Sequence, residues 1–104
     1  MQDFPNASSP SQSVIEVFLA DTAEQLGQLR TLLADGDLEG VQRVAHYLKG
    51  SAMCLGLERM CELCEGIEVL SLLAGVQGAN KIVPLLESEV TRLRDELTGC
   101  EQKT

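Results

Sequence analysis

The chain has 104 residues, sixteen of them acidic and eight basic, for a formal net charge of −8. That length allows one domain with a modest core, and that sign argues against a grip on a phosphate backbone or on an anionic membrane surface. Hydrophobic residues make up 44% of it, Leu is abundant, and there is no Trp, one Tyr and two Phe, a composition suited to packed helices rather than to sheets built from β-branched and aromatic side chains.

Residues 1–13, with Pro5, Asn6, Pro10 and five serines or alanines among them, have no periodicity and read as a linker or N-terminal extension. Phe4 is a candidate to pin part of it to the core, as a flexible or short-helical segment. A first long helix is expected from Ser13, an N-cap with Glu16 three residues on, to Ala34, with Ile15, Phe18, Leu19, Thr22, Leu26, Leu29 and Leu33 on its inner face. Asp35-Gly36-Asp37 stops it: Gly36 suits a left-handed C-cap and Asp37 the N-cap of the next helix.

The second helix, Leu38 to Leu55, places Val41, Ala45, Leu48 and Ala52 in one apolar stripe and ends at Gly56. A third is expected over Leu57 to Leu73, with Met60, Leu63, Cys64, Ile67, Ser71 and Ala74 facing inward. Gly75 to Asn80 read as a connection, and a last helix runs to Thr98 with Ile82, Leu86, Val90, Leu93 and Leu97 on one stripe. Pro84 lies near its start, so either the regular helix begins around Val83 or its first turn is distorted. Four amphipathic helices joined by short turns pack most simply as an all-α, antiparallel up-down four-helix bundle over 14–98, followed by a tail, 99–104.

Four cysteines invite a metal or redox reading, because Cys61-x-x-Cys64 has ligand spacing. A structural zinc site needs two more ligands, and a thioredoxin-like motif needs a preceding strand. Cys64 falls on an apolar stripe instead, where a free Cys acts as a small hydrophobe, and no metal site is expected. No uninterrupted apolar run reaches the roughly 18 residues of a membrane-crossing helix, and no signal-peptide pattern is present, so the expected setting is cytoplasmic.

His46 is the only histidine. At about 100° per residue it projects about 130° from the middle of the Val41–Ala52 stripe, toward solvent. Gln42 precedes it by one turn, Lys49 follows at i+3 and Gly50 at i+4. Gly50 is costly in a helix interior, by up to about 1 kcal/mol relative to Ala, and the gap it leaves would let another surface approach the imidazole.

His46-x-Leu48-Lys49-Gly50-Ser51-Ala52, followed by Leu55-Gly56-Leu57, closely resembles the signature of histidine-containing phosphotransfer (HPt) domains of multistep two-component phosphorelays. The resemblance extends from Val14 to Leu97 and is sharp between Ala45 and Leu57. It implies the same helical bundle, with His46 as an exposed phosphoryl acceptor that takes the group from a receiver-domain phospho-aspartate and passes it to another receiver. HPt domains commonly have Glu or Gln 22 residues after the His, and Glu68 stands there, at the edge of the third helix's inner stripe. A carboxylate there would accept from Nδ1–H and leave Nε2 as nucleophile. Lys49 would offset phosphoryl charge, while Gln42, Gly50, Ser51 and Met53 would line the surface where the receiver docks. The resemblance implies no cofactor on this chain, Mg²⁺ on the receiver, and a monomer that is either free-standing or the C-terminal module of a membrane-bound sensor kinase. A helical adaptor that binds a signalling partner without phosphotransfer is the alternative.

Overall fold

The computed structural model describes residues 12–99, and these are all-helical: α1 spans Gln12–Asp35, α2 Leu38–Cys54 and α3 Glu58–Gly99. The expectations for Phe4, for Cys100 and for the two chain ends fall outside the described residues.

The two tight turns follow from local chemistry. At the end of α1, Gly36 adopts φ 74°, its N–H donating to the Leu33 carbonyl while Asp37 N–H reaches back to Leu32. This paired closure satisfies carbonyls that the helix end would otherwise leave open. Asp37 then turns donor shortage into a start signal, its carboxylate accepting from Gly40 N–H at 2.9 Å to cap α2. The same closure ends α2, where Gly56 at φ 73° donates to Met53 and Leu57 to Ala52.

Between residues 58 and 99 the structure departs from the expected helix, loop and helix. Residues 75–80 are not a loop: the only non-helical backbone inside α3 is Gly75, at φ 66°, ψ −148°, a conformation open to glycine and almost nothing else. One such residue is enough to reverse the chain. A Cβ at Gly66 would lie 3.7 Å from the Ile82 side chain, and one at Gly78 would lie 2.2 Å from the Leu70 carbonyl oxygen. In a straight helix the first pair would be about 24 Å apart, so 58–74 and 76–99 lie side by side as two arms. Pro84 sits well inside the second arm, with helix on both sides of it, so neither expected position for the start of that helix holds. Ser13 likewise lies inside α1 rather than capping it, and Ala74, expected to face inward, is exposed at the reversal.

The core is assembled largely from the expected stripes, except that on the second arm of α3 Ala79 and Val83 are fully buried while Ile82, Leu93 and Leu97, expected inside, are half-buried. Leu29, Val41, Ala45, Leu48, Ala52, Met60, Cys64, Ile67, Val83 and Leu86 are fully buried. Truncating one of the larger ones, such as Leu48 to Ala, should cost about 2–5 kcal/mol. Among the described residues, the two buried hydroxyls are satisfied within their own helices, Thr22 donating to the Phe18 carbonyl at 2.8 Å and Ser71 to the Glu68 carbonyl at 2.9 Å. Arg30 of α1 holds Glu87 of the second arm through two guanidinium nitrogens. By length and composition, the span from Glu58 to Leu97 is long and apolar enough to cross a membrane. The reversal at Gly75 divides it into two arms that share one core with α1 and α2.

Candidate functional site

His46 stands on α2 with its side chain 72% exposed, on the flank that the apolar stripe turns away from the core. Burial of Val41, Ala45, Leu48 and Ala52 fixes that helix face inward, and the position of the imidazole follows from the 3.6-residue period. Its Nδ1 lies 3.0 Å from Oε2 of Glu68, on the first arm of α3. An ionised carboxylate only accepts hydrogen bonds, so this contact favours a proton on Nδ1 and leaves the Nε2 lone pair free.

Glu68 has a second partner. Its Oε1 lies 3.1 Å from Lys49 Nζ, so one carboxylate, about one-fifth exposed, joins the residues at positions 46 and 49. The hydrogen bond to Glu68 raises the Lys49 pKa above its ordinary value, and the ammonium stays charged. Glu68 therefore bridges His46 and Lys49, an arrangement that sequence spacing alone does not reveal. The hydroxyl of Ser71, one turn along α3, donates to the Glu68 backbone carbonyl.

The proposed docking residues are distributed around this centre. Gly50 is exposed, and a Cβ there would meet nothing within 4 Å. Met53, on the same face two turns from His46, is 63% exposed. Ser51 is half-buried and borders an open depression of about 530 Å³ between α1 and α2, together with Val14, Val17, Asp21, Tyr47 and Cys54. Gln42 is half-buried one turn before His46.

Sequence reasoning missed the α1 side of this surface. Val17 is 70% exposed and Tyr47 49%, while the Tyr47 hydroxyl donates to Asp21 at 2.6 Å, tying α1 to α2 beside the histidine. That bond to a carboxylate pushes the Tyr47 phenol above its usual pKa. The available signal was the presence of Val14 and Val17 off the inner stripe of α1, apolar residues with no core to fill. A second exposed apolar stripe, Val69, Leu72 and Leu73, begins next to Glu68 on α3.

None of the three described cysteines is hydrogen-bonded to the His46 or Glu68 side chain. Cys64 is buried in the core and its thiol is pushed up to about 12 by that burial. Cys61 is half-buried, with its thiol donating to the Lys49 carbonyl at 3.7 Å, and Cys54 is exposed. Among the described residues no group of three or more His, Cys, Asp or Glu side chains could hold a metal ion.

A family model for the Hpt domain matches residues 13–97. The chain belongs to the Hpt domain family. Among its relatives, the phosphorelay intermediate protein YPD1 of Candida albicans is 36% identical over 58 residues, 56% of this chain and 32% of that protein. The multistep phosphorelay regulator 1 of Schizosaccharomyces pombe is 29% identical over 72 residues, 69% of this chain and 24% of that protein. The Hpt chain thus spans about a third or less of the length of these curated relatives. No solved structure matches it.

Proposed function

We propose that this Hpt domain is a phosphorelay intermediate in which His46 accepts a phosphoryl group from the phospho-aspartate of one receiver domain and passes it to a second. One observation carries the reading: the only imidazole in the chain is exposed, with Nδ1 held 3.0 Å from a carboxylate and Nε2 left available. In the transfer the Nε2 lone pair attacks phosphorus, the P–Nε2 bond forms and the P–O bond to aspartate breaks. The electron pair leaves with the aspartate carboxylate, and the Nδ1 proton stays on the ring, hydrogen-bonded to Glu68. Positive charge gained by the ring is stabilised by that carboxylate.

Lys49 completes the electrostatics in this reading. Before transfer it neutralises Glu68, and its ammonium lies one turn from His46, where it can turn to meet phosphoryl oxygens as they arrive. Gln42, Gly50, Ser51 and Met53, joined by Val17 and Tyr47, form the surface on which the receiver docks, and Gly50 keeps the approach to Nε2 open. The domain needs no cofactor of its own, since the Mg²⁺ that assists the aspartyl-phosphate chemistry belongs to the receiver.

The working architecture is an antiparallel up-down four-helix bundle in which the two arms of α3 serve as the third and fourth helices. The close approach of Gly66 to Ile82 across the Gly75 reversal supports this count. We infer a cytoplasmic, monomeric module, free-standing or at the C-terminal end of a membrane-bound sensor kinase. The test is a two-step chase, with label from a phosphorylated receiver moving first to this chain and then to a second receiver added later. A chain that binds receivers but never takes label would be an adaptor instead.

A further inference from the structure

Two basic residues flank His46 on α2, Arg43 one turn before it and Lys49 one turn after. They are in different states. Lys49 is engaged with Glu68. Arg30, Arg59 and Arg92 each hold a glutamate as well, and Arg94 also has an interaction. The Arg43 side chain has neither a hydrogen bond nor an ion pair among the described residues, although acidic residues outnumber basic ones two to one and Glu39 lies one turn away at i−4.

The surroundings of Arg43 are also open. It borders a depression of about 430 Å³ between α1 and α2, lined with Gly27, Gln28, Thr31, Leu32 and Val44. A Cβ at Gly27 would meet nothing within 4 Å. Thr31 spends its hydroxyl proton on the Gly27 carbonyl at 3.2 Å. Gln28, like Arg43, has no side-chain partner among the described residues. The free polar hydrogens here are those of the guanidinium and the Gln28 amide, which is a donor set for an anion of carboxylate shape.

We propose that Arg43, with Gln28 beside it, is a docking site for a carboxylate side chain on the rim of the receiver's phospho-aspartate site, and so a residue that selects the receiver. This rests on the reading of the chain as a phosphotransfer domain. A domain of net charge −8 that must approach another protein's aspartate-bearing site meets like-charge repulsion unless positive charge faces the contact. Lys49 is engaged with Glu68 before transfer, and Arg43 supplies further positive charge one turn from His46, near the middle of α2. A forked guanidinium–carboxylate pair one turn from the imidazole also fixes register, which the point charge of an ammonium on a flexible stem does not.

The experiment uses the whole chain and a receiver domain that phosphorylates the wild type, with phosphoramidate as a small-molecule donor that needs no docking. Arg43→Ala should raise KM for the phosphorylated receiver roughly fivefold, leave kcat within about twofold, and flatten the dependence of transfer on salt. The loss should exceed any loss with phosphoramidate. Arg43→Glu should be worse, and an Asp or Glu→Arg change on the receiver rim should restore part of it. Lys81→Ala removes an equal charge away from this depression and serves as the control. Unchanged KM in Arg43→Glu overturns the proposal, as does a fall in kcat at constant KM with a shorter-lived phosphohistidine, which would assign Arg43 to the phosphoryl group itself. If the wild type takes no phosphoryl group from either donor, the parent reading fails; if it does and Arg43→Glu behaves like it, only this inference fails.

Discussion

Gly50→Gln should improve the fold and damage the function. Gly50 has ordinary helical backbone, since it is not among the positive-φ glycines, and a Cβ there would meet nothing within 4 Å. The substitution therefore carries no steric penalty, and replacing glycine by a good helix former in an exposed helix interior gains about 0.5–1 kcal/mol. For a domain of this size that corresponds to a rise in Tm of about 2–8 °C. The new side chain occupies the gap one turn from His46, where a receiver must come within bonding distance of Nε2. Displacing reacting groups by about 1 Å can cost on the order of a hundredfold in rate, so transfer should slow at least tenfold. Thermal melts followed by circular dichroism, read beside initial rates of transfer from a phosphorylated receiver, test both signs. Wild-type transfer in a stabilised variant would remove the receiver from the Gly50 flank, and a lowered Tm would refute the account of the space around it.

Gly78→Ala should do the opposite, destabilising by about 1–3 kcal/mol or more in chemical denaturation, because a Cβ there would lie 2.2 Å from the Leu70 carbonyl oxygen and 2.9 Å from the Ala74 Cβ; an unchanged midpoint would count against the side-by-side arms. Tyr47 is the only tyrosine, so its alkaline absorbance titration can be followed alone. Because its pKa is raised by the bond to Asp21, the neutral, hydrogen-bonded phenol should persist through pH 10, with the bond's contribution to stability present below that point and lost as pH climbs past the raised value. Asp21→Asn should bring the midpoint back toward 10.0, and identical titrations would dismiss the bond. For Glu68, ¹⁵N chemical shifts of the His46 ring report tautomer directly: Glu68→Ala should mix the two forms and slow transfer, Glu68→Gln should keep Nδ1–H through its carbonyl with a milder loss, and equal tautomer ratios in all three proteins would remove Glu68 from the site.

The parts of the fold that were legible in the sequence rest on strong local signals. Asp35-Gly36-Asp37 and Leu55-Gly56-Leu57 mark the two turns because left-handed glycine and an N-capping aspartate leave the backbone few alternatives. The stripes of α1 and α2 mark their buried faces because burial follows the helical period. The stretch 75–80, helical after the reversal at Gly75, was misread as a loop because it holds two glycines and an asparagine; the tight fit of Gly78 against Leu70 is a tertiary fact, absent from local propensity. At the site, helix face marked His46 as exposed and Glu68 as lying at the edge of an inner stripe, the HPt resemblance with its 22-residue offset paired them, and the structure places Nδ1 and Oε2 3.0 Å apart. The bridge from Glu68 to Lys49, and the contribution of Val17 and Tyr47 to the surface, depend on how α1 and α3 lean on α2, which the pattern of any one helix does not encode.

The most direct test of the central claim uses a phosphorylated receiver domain with the wild-type chain and with His46→Gln, whose fold should survive because the side chain is 72% exposed. The label on the wild type should be acid-labile and base-stable, and should map to the single histidine with phosphorus bonded to Nε2. His46→Gln should melt like the wild type and take no label. Label retained by a folded His46→Gln chain would contradict the account.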